Sequence, residues 1–162
     1  MTSRSLRADT VERRFVEQEH REIAGGIDRI LHVAELAGSL SSPDLRDALR
    51  DLLAWLERSL EPHITWEEQW LYPRLDEIAD STWPARLMSF EHQQIRRAVQ
   101  VIEDDRDALR HEPTHQRLVD LRGHLYALDA LIRAHLERED RFLLPILEEP
   151  RATPGPLITR PA

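Results

Sequence analysis

The stretch "HITWEEQWLYPRL", residues 63–75, has a near copy in "HLEREDRFLLPIL", residues 135–147. Each opens on a histidine, His63 or His135, and carries a glutamate four places on, Glu67 or Glu139. Each then closes on Leu-x-Pro-x-Leu: Leu71, Pro73 and Leu75, or Leu143, Pro145 and Leu147. The same offset of 72 residues relates His20 to His92, within "EQEHREI" (residues 17–23) and "SFEHQQI" (residues 89–95). It continues through Glu19/Glu91, Ile23/Ile95, Ile30/Ile102, Leu49/Leu121, Leu56/Leu128 and Trp70/Phe142. The interval from His20 to His63 is 43 residues, and so is the interval from His92 to His135. Agreement at one fixed offset over this span reads as duplication of a whole hairpin.

The periodicity inside each copy is helical. Val16, His20, Ile23, Ile27, Ile30 and Ala34 recur at steps of three and four, as do Leu45, Leu49, Leu52, Leu56, Leu60, His63, Glu67 and Trp70. A third segment carries Met88, His92, Ile95, Val99, Ile102 and Leu109; a fourth runs from Leu118 through Leu125, Ile132, His135 and Glu139 to Ile146. "GSLSSPD" (residues 38–44), "IADSTWP" (78–84) and "RHEPTH" (110–115) punctuate them. Ser42 is the expected N-cap of the second helix, with Pro43 at its first position. Connections this short place neighbours antiparallel, so the expected fold is all-α, an up-down-up-down antiparallel four-helix bundle over residues 1–149 with an internally duplicated hairpin. Residues 150–162, "PRATPGPLITRPA", form a Pro-rich tail.

In an antiparallel hairpin, residues equidistant from the turn share a level. His20 and His63 are nearly equidistant from Ser41, and His92 and His135 from Pro113. All four histidines are therefore expected at one height, on the stripe that carries the isoleucines. Glu67 and Glu139, one turn beyond a histidine and about 40° around the helix, face the same point. Two buried carboxylates cost several kcal/mol each without compensation. A cation supplies it. With no cysteine in the chain, thiolate sites are excluded, and imidazole with carboxylate suits iron, manganese or zinc.

His20, His63 with Glu67, His92, and His135 with Glu139 resemble the hemerythrin family, specifically its HHE cation-binding type, over roughly residues 11–149. The resemblance implies two non-haem iron ions joined by an oxo or hydroxo group, with both glutamates bridging. Oxygen-carrying members offer a second histidine four residues along the third helix; here that position is Arg96. The expected ligand set is thus four histidines and two glutamates, which argues against a dedicated reversible oxygen carrier. If each iron takes six ligands, about two of some twelve positions stay open for a small ligand. O₂, peroxide or nitric oxide are the expected small ligands, in sensing, scavenging or catalase-like turnover. The alternatives are iron binding, sensing or storage without turnover, and a bundle whose metal only holds the core together.

The remaining residues fill in the expectation. A net charge of −8 disfavours nucleic acid and anionic membranes, and no apolar run approaches the length of a spanning helix. With no apolar signal segment near the start, a soluble, cytoplasmic protein is expected. His32 is expected in solvent, His111 and His115 in a loop, and His124 in the core. Trp66, Trp70 and Phe142 are expected to pack in the core beside the ligands, or to wall off the open positions. Glu19 and Glu91 are expected on the solvated face unless they orient a histidine. Arg96 pairs with one of them or caps the site, and Glu68 and Asp140 lie on the surface. Pro62 is expected to kink its helix, and Pro73 and Pro145 to end or kink theirs.

Overall fold

The computed structural model describes residues 3–109 and 112–148; His111 and the 150–162 tail lie outside them. Helix α1 spans Ser3–Leu36 and α2 Ser42–Trp66. A π-helical turn, Glu67–Leu71, joins α2 to α3, Tyr72–Ala79. Helix α4 spans Trp83–Ala108 and α5 His115–Arg138; a second π turn, Glu139–Leu143, and a 3-10 turn, Leu144–Glu148, follow. Among the described residues there is no strand. Helix α1 packs on α2 and α5, and α4 packs on the same two, so four helical rods close a ring. The chain is all-helical, and a four-helix bundle accords with these contacts.

The helix starts follow capping chemistry. Ser41, one residue earlier than expected, caps α2: its backbone is extended and its Oγ accepts from the Asp44 N–H at 3.3 Å. Ser42 is already helical and buried, so it has no free backbone geometry with which to cap. Thr114 caps α5 in the same way, accepting from the Arg117 N–H. Helix α3 stops at Asp80, whose φ of 49° is left-handed, a conformation a short polar side chain tolerates. Helix α2 runs through Pro62 without interruption. Pro73 and Pro145 do not simply stop their helices: each stands just behind a π turn, and the chain stays helical past Pro73 to Ala79.

Two apolar clusters form the core. The larger takes Ile23, Ile27 and Ile30 from α1, Leu45 to Ile64 from α2, Ile95 and Ile102 from α4, and Leu121 to Leu136 from α5. The smaller takes Val16, Leu71, Tyr72, Leu75, Ala85, Met88, Leu143, Leu144 and Leu147. Each fully buried Ile or Leu contributes about 1.5–3 kcal/mol over leaving it in water. Val16 and Ile23 bracket His20 and belong to different clusters, as do Met88 and Ile95 around His92. The histidines therefore lie in a layer between the two.

Helices α1 and α2 meet closely at Gly26, where a Cβ would come within 2.3 Å of the Trp55 ring. The neighbouring Gly25 has nothing within 4 Å of that position. Gly26→Ala therefore overpacks an aromatic ring, at about 1–3 kcal/mol. That exceeds the roughly 0.5–1 kcal/mol an alanine gains in a helix interior, so thermal melting of Gly26→Ala should fall below wild type. Gly25→Ala should rise above it.

Candidate metal centre

The polar layer consists of His20, His63, Glu67, His92, His135 and Glu139, each no more than 3% exposed. The six residues singled out from the sequence are brought together at one place. Their donor atoms form two overlapping sets, each with all atoms within 4.8 Å of one another. The first is His20, His63, Glu67 and Glu139; the second is Glu67, His92, His135 and Glu139. Both glutamates belong to both sets.

Four further carboxylates lock the imidazoles from behind. His20 Nδ1 lies 2.7 Å from Asp140 Oδ1, His63 Nδ1 3.0 Å from Glu19, His92 Nδ1 3.0 Å from Glu68 and His135 Nδ1 3.2 Å from Glu91. An ionised carboxylate only accepts, so each Nδ1 carries the proton and donates. Each Nε2 is thereby turned to the interior, the arrangement that fixes tautomer and ring orientation at metal sites. Glu19 and Glu91 orient histidines and are only partly exposed. Asp140 lies at the surface as expected and Glu68 is partly exposed, but each also reaches across to a histidine on another helix. Sequence spacing missed them because their partners are distant in the chain. The one available signal was that Glu68 and Asp140 are themselves 72 residues apart.

The π turns explain a second correction. In each, the amide five residues past the glutamate donates to its carbonyl: Tyr72 N–H to Glu67 O, and Leu144 N–H to Glu139 O. The proline behind each turn lacks an N–H, and in a regular helix its ring would crowd the carbonyl four residues back, at Gln69 or Arg141. The widened turn shifts everything beyond it by one residue. Trp70 and Phe142, inward on a regular helix, are instead 67% and 66% exposed, and do not pack in the core. Trp66 lies before the turn, stays partly buried and meets Phe15 edge-on at 5.2 Å.

The same shift turns Tyr72 inward, a residue the helical periodicity did not single out. Its hydroxyl donates to Glu139 Oε1 at 2.5 Å and stands 3.1 Å from His92 Nε2, with Glu67 Oε2 at 3.5 Å. Its ring stacks on His92 at 5.4 Å. The counterpart of Tyr72 in the other half is Leu144, so a break in the repeat was the signal.

Other expectations resolve at the rim. Arg96 pairs with neither Glu19 nor Glu91; it joins Glu61, at 2.7 Å, to Glu68, at 2.9 Å, and so clamps the carboxylate behind His92. His124 is not a core residue: its side chain is 44% exposed and bonded to Asp105. His32 is exposed, and His115 begins α5 instead of lying in a loop. Two surface clefts reach the layer. One, about 410 Å³, is bordered by Phe15, Glu19, His63 and Trp66; the other, about 430 Å³, by Glu68, Tyr72 and Phe90.

The layer is electrostatically tight without a cation. Burial alone would lower the His20 pKa, but hydrogen bonds to Glu139 and Glu67 outweigh it and push it up to about 10. Glu67, though burial opposes its charge, is held well below the usual carboxylate range by His20, His63 and His92. Burial and the two carboxylates push the Tyr72 phenol far up, so it keeps its proton. His63 Nε2 and Glu139 Oε2 are buried without a hydrogen-bond partner, and the Nε2 atoms of His92 and His135 face each other at 3.0 Å. Separations of 3.0–3.4 Å among these donors are those of neighbouring ligands on one ion with bonds of about 2.1 Å. The donor set therefore fits metal ions, which would satisfy the orphaned atoms and replace the protons.

A family model described as the hemerythrin HHE cation binding domain matches residues 12–147. No curated protein and no solved structure matches the chain.

Two outcomes follow from the layer. His20 is raised from 6.5 to about 10, so its contribution to the metal-free fold is complete below pH 6.5 and lost as pH rises through about 10. Melting of the metal-free protein should decline across that window, and metal uptake within it should release at least one proton per chain, read by calorimetry in buffers of different ionisation enthalpy. Separately, Asp140→Ala should weaken metal affinity about 10–100-fold in chelator competition, with little loss of helicity.

Proposed function

The chain belongs to the hemerythrin HHE cation-binding family, and from that premise we propose that it is a non-haem di-iron protein that reacts with O₂, peroxide or nitric oxide. The observation that carries this reading is the pair of overlapping donor sets sharing Glu67 and Glu139. Glu67 and Glu139 would be shared between two ions, one held by His20 and His63 and the other by His92 and His135. Iron bound there supplies redox chemistry and positions open to a small ligand.

The chain's own residues do the rest. The carboxylates at Nδ1 hold the four imidazoles with Nε2 forward, so the ions meet a preformed donor set. The apolar clusters on either side exclude bulk water. Tyr72 holds a proton on its hydroxyl, bonded to Glu139 and adjacent to His92. A phenol that keeps its proton in this position can donate a hydrogen bond to a small ligand gaining negative charge.

Metal analysis of purified protein should give about two irons per chain. One zinc ion, tightly held and inert, would instead mark a structural metal. Near-ultraviolet charge-transfer bands should change on adding azide or peroxide. Peroxide consumption should fall at least roughly tenfold in Tyr72→Phe with iron content retained, and should vanish in Glu67→Gln. Spectral change without consumption in the wild type would assign the centre to binding or sensing.

A further inference from the structure

Among the mismatches in the 72-residue repeat, Arg96, Arg138 and Tyr72 pair with a residue of the polar layer or with a carboxylate behind it, and these three lie beside His92 and His135. Arg96 corresponds to Ala24, Arg138 to Trp66, and Tyr72 to Leu144. Arg96 pairs with Glu68, the carboxylate behind His92. Arg138 pairs with Glu91, the carboxylate behind His135, at 2.8 Å. Tyr72 touches His92 itself. On the other side, Asp140 behind His20 and Glu19 behind His63 have no arginine partner among the described residues. Even counting Glu61, the other partner of Arg96, three carboxylates face two guanidiniums beside His92 and His135. Two carboxylates face none beside His20 and His63.

The two donor sets are otherwise matched, with two histidines each and the same two glutamates. The charge behind the histidines is what differs. A carboxylate that also serves a guanidinium accepts less strongly from Nδ1–H, and its ring becomes a weaker donor at Nε2. A cation on that side also feels two nearby positive charges, partly screened because the Arg96 and Arg138 side chains are 36% and 39% exposed.

We infer that the two metal positions are inequivalent, and that Arg96 and Arg138 make the His92/His135 position the weaker one, so that the His20/His63 position fills first and holds the more highly charged ion of an unequal pair. The inference rests on the two-cation reading above. Its arginines are positioning residues that act through Glu68 and Glu91.

The test is a titration of metal-free full-length protein with Zn²⁺, a diamagnetic probe, followed by imidazole NMR. The first equivalent should shift the resonances of His20 and His63, and the second those of His92 and His135. Arg96→Met combined with Arg138→Met should tighten the second step by about tenfold, whereas Arg96→Lys should preserve the order and the gap. If the arginines only held the carboxylates in place, the double variant would weaken the second step instead. Weakening, simultaneous filling or the reverse order would overturn the inference while leaving the two-cation reading intact. Uptake of a single equivalent would overturn both.

Discussion

Two carboxylates, Glu67 and Glu139, are fully buried amid four imidazoles and a wall of isoleucine and leucine. Everything else in the molecule answers to that constraint. A buried charge without a partner costs several kcal/mol, and no helix bundle holds two of them on packing alone. Without a cation, protonated histidine fills the role: His20 remains charged well above its ordinary range because the carboxylates demand it. Metal ions would fill the role better, because they would also satisfy His63 Nε2 and Glu139 Oε2. The apolar clusters above and below then keep the attractions strong by keeping water out.

The π turns are the geometric counterpart of this chemistry. A regular helix places His63 and Glu67 on the inner face but would also send Trp70 inward. One widened turn at Glu67 releases Trp70 to the surface and brings Tyr72 and Leu75 inward. The second π turn does the same at Glu139, releasing Phe142 and bringing Leu144 and Leu147 inward. Single π turns of this kind concentrate at functional sites because they re-aim side chains that a regular helix cannot. Here the residue re-aimed in one half is a phenol, and in the other a leucine.

That difference is part of a wider pattern. The polar layer is alike in its two halves, down to the carboxylate behind each histidine. Tyr72, Arg96 and Arg138 break that likeness around His92 and His135. A symmetrical scaffold thereby carries an asymmetrical electrostatic field, which is useful where two ions must take different charges or where a small ligand must meet a proton donor on one side.

The sequence by itself determined the helical class, the six inward polar residues and a donor set suited to a cation. Those follow from local period and from spacing within one chain, which helical geometry converts directly into faces and levels. The repeat also marked, through its mismatches, where the halves differ. Only the tertiary structure decided how the carboxylates behind the histidines are used, because Asp140 meets His20 and Glu19 meets His63 across helices that no local period connects. It also decided the fate of Trp70, Phe142 and Tyr72. Those depend on whether a turn contains four residues or five, a choice made by prolines and packing together, and one residue of difference reverses which side of a helix faces the core.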